Sequence, residues 1–216
     1  GYDVYIVMPE GMSEERKNII KVLGGKLILT PDRESIAGAV RKAEELAGKY
    51  NAYMPQQFKN KNNALAHYEY TAPELWRQSG NRIDAFVSGI GSGGTIQGVG
   101  SFLKKNNPDV MIVAVEPKNV SALLGHEPGL HQIQGIGDGF IPDILDVSLI
   151  DRVIEVTDDD AITTTRGLAS TNSLLCGTSS GANIWAARQI AGEQPEWVIA
   201  TVLPDRAERY FSTGLL

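Results

Sequence analysis

The chain has 216 residues, 42% of them hydrophobic and 21% charged, which suits a globular protein of one large domain or one and a half. A net charge of −6 without a compensating basic face argues against a nucleic-acid partner, and no apolar run approaches the roughly 18 residues a membrane-crossing helix needs. The single cysteine, Cys176, allows no internal disulfide and fits a reducing, cytoplasmic setting.

Residues 4–8 are apolar and read as a buried strand that begins almost at the first residue. A chain seldom opens inside a core element, so the N-terminus reads as a cut. Ser13 is placed to cap a helix running to Leu23, with Glu14 and Glu15 in its first turn and Gly24-Gly25 ending it. A strand at 26–29 follows, then a helix at 34–49 from the spacing of Ile36, Val40, Ala43, Leu46 and Ala47. A strand is expected at 52–54, a helix at 64–78 and a strand at 85–88. A glycine loop spans 89–94, with a helix at 95–105 and a strand at 111–116 beyond it. Residues 125–141 are glycine-rich and irregular. Later strands are expected at 153–156 and 198–203, and helices at 161–170 and 181–191. Apolar strands alternating with helices predict an α/β fold of parallel, doubly wound sheets covered by helices on both faces. The polar joint Lys59-Asn60-Lys61-Asn62-Asn63 marks a seam within residues 57–63.

The run Ser88-Gly89-Ile90-Gly91-Ser92-Gly93-Gly94-Thr95 follows a strand and opens a helix. There the backbone N–H groups and the helix N-terminus converge on one spot, which suits a phosphate, and Ser92 and Thr95 can add hydroxyl donors. A bare strand–helix turn needs fewer glycines. Gly89, Gly91 and Gly94 also satisfy G-x-G-x-x-G, and Glu116 falls near where a ribose-binding acid would stand, so a dinucleotide site competes. Against it, the motif sits mid-chain with several strands before it.

Gly177-Thr178-Ser179-Ser180-Gly181 fits the G-x-S-x-G nucleophile elbow. That chemistry needs a histidine downstream, and His67, His126 and His131 all lie upstream. Ser179 and Ser180 are read instead as helix caps. Cys176, flanked by Leu174-Leu175, reads as buried and inert. The dispersed histidines predict no metal site. The acidic run Asp158–Asp160 reads as a helix start.

With these residues in view, the chain resembles cysteine synthase, also called O-acetylserine sulfhydrylase, among the fold-type II pyridoxal-phosphate (PLP) enzymes. The likeness runs through Met8-Pro9-Glu10-Gly11-Met12-Ser13 with Glu15-Arg16-Lys17, Pro55-Gln56-Gln57-Phe58 and Thr71-Ala72-Pro73-Glu74-Leu75-Trp76. It continues through Gly91–Thr95, Val115-Glu116-Pro117, the stretch from His131 to Gly137, Gly139-Phe140-Ile141-Pro142, and Leu203-Pro204 to Glu208-Arg209-Tyr210.

The resemblance implies PLP as cofactor, its phosphate held by Gly91, Ser92, Gly93, Gly94 and Thr95. It implies that Gln57 binds the substrate carboxylate and that the segment around Gly135 closes over the substrate. It implies a smaller N-terminal α/β domain, of which 1–60 is the remnant, and a larger PLP-binding domain at 61–216. In the family PLP is bound to a lysine, which would lie before Gly1, as would an asparagine loop, so no catalytic residue is assigned within this chain. Two further departures stand out. Arg206 occupies the place of the family serine that contacts the pyridine nitrogen, and Asn172-Ser173 replaces Glu-Gly. A donor at Arg206 would favour an unprotonated ring, whereas a guanidinium turned to solvent would leave the ring alone.

The expected activity is β-replacement, O-acetylserine and sulfide giving cysteine and acetate, by a homodimeric family member acting on an amino-acid substrate. The alternative is a non-catalytic member that binds a partner such as the C-terminal tail of serine acetyltransferase.

Overall fold

Two separate parallel sheets form in the computed structural model, which describes residues 1–127 and 129–215. They belong to two compact units, Gly1–Pro55 together with the C-terminal stretch from Arg206, and Gln56–Asp205.

In the first unit, β1 (Tyr5–Pro9) and β2 (Lys26–Thr30) pair in parallel, Val7 opposite Ile28. Between them runs α1 (Glu14–Val22). Ser13 stands at its N-cap, but its buried hydroxyl makes no capping bond. The helix α2 (Ser35–Tyr50) follows β2 and ends at Asn51, which takes the left-handed conformation. The strand expected at 52–54 does not form. Those residues lead from the end of α2 into Pro55 and, among the described residues, pair with neither β1 nor β2. The C-terminal stretch packs on α1. Arg16 donates to the Tyr210 hydroxyl at 2.8 Å and lies over its ring, while Ser212 donates through N and Oγ to Glu15 at 2.8 and 2.6 Å.

In the second unit, the sheet order is β5-β4-β3-β6, all parallel, with β3 (Ala85–Gly89), β4 (Met111–Pro117), β5 (Arg152–Val156) and β6 (Ile199–Thr201). Residue alternation divides the core between its two faces. Ala85, Val87, Val113 and Val115 pack with Ala182, Ala186 and Ile190 of α7 (Thr178–Glu193). Phe86, Ile112 and Ala114 pack with Ile96, Val99 and Leu103 of α5 (Gly94–Asn106). Helices therefore cover both faces, as the continuous apolar strands imply.

The helix expected at 64–78 is three pieces: α3 (Lys61–Ala66), a π-helical segment His67–Thr71, and α4 (Ala72–Gln78). The helix α6 (Asp158–Asn172) does begin with the acidic run, capped by Thr157, whose hydroxyl accepts from the Asp160 N–H at 3.1 Å. The cap of α7 is Gly177, so Ser179 and Ser180 are buried in its first turn rather than capping it. Residue 128 of the irregular stretch 125–141 lies outside the described residues, and the others form no helix or strand.

Candidate active site

The chain leaves β3 at Gly89 and enters α5 at Gly94, so the intervening loop lies outside the carboxyl end of the central strand, where the order of connection reverses between β4 and β6. In open α/β sheets that crevice is the usual ligand site. Gly93 stands at the N-cap with φ +82°, and the first-turn amides of α5 have no intrahelical acceptors. These N–H groups, the positive end of a 13-residue helix and the hydroxyls of Ser92 and Thr95 form an anion cup.

Three side chains that sequence reasoning missed surround the cup. The Asn63 amide donates to Ser92 Oγ at 2.9 Å and to the Gln57 carbonyl oxygen at 2.9 Å. His67 faces Thr95 Oγ1 through Nε2 at 3.2 Å and Thr71 Oγ1 through Nδ1 at 3.0 Å, and burial lowers its pKa, which keeps the ring neutral. Asn183, almost wholly buried, accepts from the Gly89 N–H at 2.7 Å. Gln57 is thus brought beside the cup by its backbone, with its side chain exposed.

The glycine segment 134–139 forms the other wall. A Cβ on Gly91 would collide with the Gly135 carbonyl oxygen and come within 3.9 Å of Asp138 Oδ2. Gly137 N–H donates to the Ile90 carbonyl at 2.9 Å. His131 accepts from the Ile133 N–H through Nδ1 at 3.2 Å, so its proton sits on Nε2 and is donated to the Gly137 carbonyl at 3.0 Å. Burial pushes the Asp138 carboxyl up to about 6.

Other residues singled out in the sequence have different roles. Glu116 is buried and accepts from Ser121 Oγ at 2.7 Å and from the Leu123 N–H at 3.1 Å, so its carboxylate is engaged in its own turn rather than offered to a ribose. Burial raises the Cys176 thiol, which holds it protonated. Arg206, in the other unit, is 77% exposed and pairs with Glu208 at 2.6 Å. No helix among the described residues is long and apolar enough to cross a membrane.

A parallel sheet with a glycine loop at its switch point defines an α/β protein of the doubly wound class. The donor set fits the phosphate of PLP: backbone amides, two hydroxyls, a helix N-terminus and a loop bare of Cβ atoms at Gly93 and Gly94. The chain belongs to the family of pyridoxal-phosphate dependent enzymes, whose sequence profile matches residues 1–205.

It is 46% identical over 217 aligned residues to a cysteine synthase of Staphylococcus aureus, covering all of this chain and 70% of that one. A cysteine synthase structure from Entamoeba histolytica superposes with TM-score 0.90 at 37% identity, over all of this chain and 64% of that one. The O-acetylserine dependent cystathionine beta-synthase of Helicobacter pylori gives 0.92 at 42% identity, over 98% and 69%.

Proposed function

We propose that the protein catalyses β-replacement on O-acetylserine, sulfide displacing acetate to give cysteine. Atoms balance: O-acetylserine and hydrogen sulfide give cysteine and acetic acid. The observation that carries this reading is the Asn63 amide, which ties the Gln57 segment to the phosphate cup through one nitrogen. A cofactor held at Gly91–Thr95 and an amino acid held at Gln57 would then share one crevice. The cystathionine beta-synthase relative also uses O-acetylserine, which supports the acetylated donor more strongly than the choice of sulfur nucleophile.

PLP, when bound, supplies the electron sink that stabilises negative charge at the substrate Cα. In this proposal the residues of this chain bind and orient, and the proton-moving lysine that the family resemblance implies is not among them. The amides of residues 92–95 and the hydroxyls of Ser92 and Thr95 fix the phosphate. Gln57 orients the substrate carboxylate. The Gly135 segment excludes water from the crevice. Arg206 is the residue expected at the ring nitrogen, and its exposed pair with Glu208 supports the reading in which the guanidinium stays in solvent.

The family supports an amino-acid substrate. A homodimer, a cytoplasmic setting and binding of the serine acetyltransferase tail belong to the proposal, the first tested by sedimentation and the last by titration with the tail peptide. The activity itself is tested by supplying O-acetylserine, PLP and sulfide and measuring cysteine and acetate. Equimolar formation of both is expected. Acetate release with no sulfur product would refute a synthase and leave an eliminating enzyme.

A further inference from the structure

The cup's two hydroxyls are useful to a phosphate only if their protons point toward it. A hydroxyl has one proton and can also accept, so a neighbour decides which way it turns. At Ser92 the neighbour is the Asn63 amide. The Gln57 carbonyl can only accept, so the nitrogen end of the Asn63 amide must face it, and the same nitrogen lies 2.9 Å from Ser92 Oγ. Ser92 therefore accepts from Asn63, and its own proton is left for the cup.

At Thr95 the neighbour is His67 Nε2, at 3.2 Å. Burial keeps the ring neutral, so one ring nitrogen donates and the other accepts. If Thr95 gives its proton to an anion, it must accept from Nε2–H, and Nδ1 then accepts from the Thr71 hydroxyl 3.0 Å away. An occupied cup thus selects one tautomer of His67.

The packing that brings both side chains to the cup is itself built in. Gly94 and Gly98 lie four apart on one face of α5. A Cβ at Gly94 would collide with the Asn63 side chain, and one at Gly98 with the Ala64 carbonyl and, at 2.7 Å, with His67 Cβ. The bare face admits α3 and the start of the π-helical segment, a kind of irregularity frequent at functional sites.

We propose that Asn63 and His67 are positioning residues that turn the Ser92 and Thr95 protons onto the phosphate in the cup. This rests on the reading that the cup holds the phosphate of PLP.

The test compares dissociation constants of the chain for PLP and for pyridoxal, which lacks the phosphate. Asn63→Leu is expected to weaken PLP about tenfold, within the range for a hydrogen bond to a charged group, and to leave pyridoxal unchanged. In a Ser92→Ala background the same change should cost less than about threefold. His67→Gln keeps a donor near the Nε2 position and should bind PLP within about twofold of the parent, whereas His67→Asn, too short for Thr95, should lose about tenfold. Imidazole 15N spectra should show the His67 proton on Nε2 once PLP is added.

Equal PLP affinity in parent and variants overturns the proposal. So does a loss that persists undiminished without the Ser92 hydroxyl, because that is a structural effect. If Asn63→Leu does not fold, the His67 pair and the tautomer decide. A parent that binds PLP no more tightly than pyridoxal sinks both this inference and the phosphate reading beneath it.

Discussion

Asn183 holds the end of β3 to the chain beyond β6. Its Oδ1 accepts from the Gly89 N–H at 2.7 Å, and its Nδ2 donates to the Val202 carbonyl at 2.9 Å. The bond to Gly89 fixes where the strand releases the cup loop. Asn183→Ala would leave the part-buried Gly89 N–H and Val202 carbonyl without their side-chain partner, at up to about 1–3 kcal/mol each. The melting temperature should fall by at least about 5 °C, with weaker PLP retention in the folded fraction. A thermal scan of parent and variant checks both. Unchanged melting would mean that water replaces the amide.

Asp138 makes stability depend on pH. Its carboxyl rises from the ordinary 3.8 to about 6 because burial disfavours the charge. The folded state therefore holds a proton that the unfolded chain gives up between these values, and stability falls as pH rises through that window. At 1.36 kcal/mol per pH unit the rise corresponds to about 3 kcal/mol, less to the extent that water still reaches the carboxyl. Asp138→Asn should be more stable than the parent at pH 7.5, and the difference should close below pH 4. Denaturant midpoints at both pH values test it, and a pH-independent difference would place the effect elsewhere.

The glycine loop between β3 and α5 was legible in the sequence because its requirements are local. Glycines after an apolar strand and before a helix describe an anion site whatever else surrounds them. Asn63, His67 and Asn183 were not legible, because their roles depend on which element packs against the cup. The spacing of Gly94 and Gly98 was the available signal, since two glycines four apart on a helix announce a close neighbour. The strand expected at 52–54 failed for a related reason: apolar residues make a strand only where another strand offers its edge. Ser179 and Ser180 look like caps in sequence, but burial of the first turn of α7 puts them inside.

His131 should act as a clip on the glycine wall. Burial lowers its pKa from the ordinary 6.5, and the neutral ring both accepts from Ile133 and donates to Gly137. The unfolded chain takes up a proton at a higher pH than the folded one does. The stability from this group is therefore complete above 6.5 and declines as pH falls below it toward the folded value. Protonation also removes the Nδ1 acceptor. Hydrogen exchange at the Gly137 amide, bonded to Ile90, should lose protection in His131→Phe by about tenfold at pH 7.5, the equivalent of about 1.4 kcal/mol. Parent-like protection in that variant would show that the Ile90 bond alone holds the wall.

Gly91 sets how closely the glycine wall approaches the cup. The Gly135 carbonyl oxygen occupies the space a Cβ on residue 91 would need, and that neighbour is backbone. Gly91→Ala must therefore push the 134–139 segment away or distort the loop between Gly89 and Gly94. Either displacement disturbs the convergence of amides on the anion, while the hydrophobic core of the sheet is untouched. PLP affinity should fall by at least about tenfold, with melting within a few degrees of the parent. The same variant should leave Asp138 more exposed, so its carboxyl should titrate below about 6, nearer the ordinary value. Measured together, the two changes separate causes. Weaker PLP with an unshifted Asp138 means that the cup loop moved and the wall stayed. Unaltered PLP affinity would show that the contact between Gly91 and Gly135 does not shape the anion site.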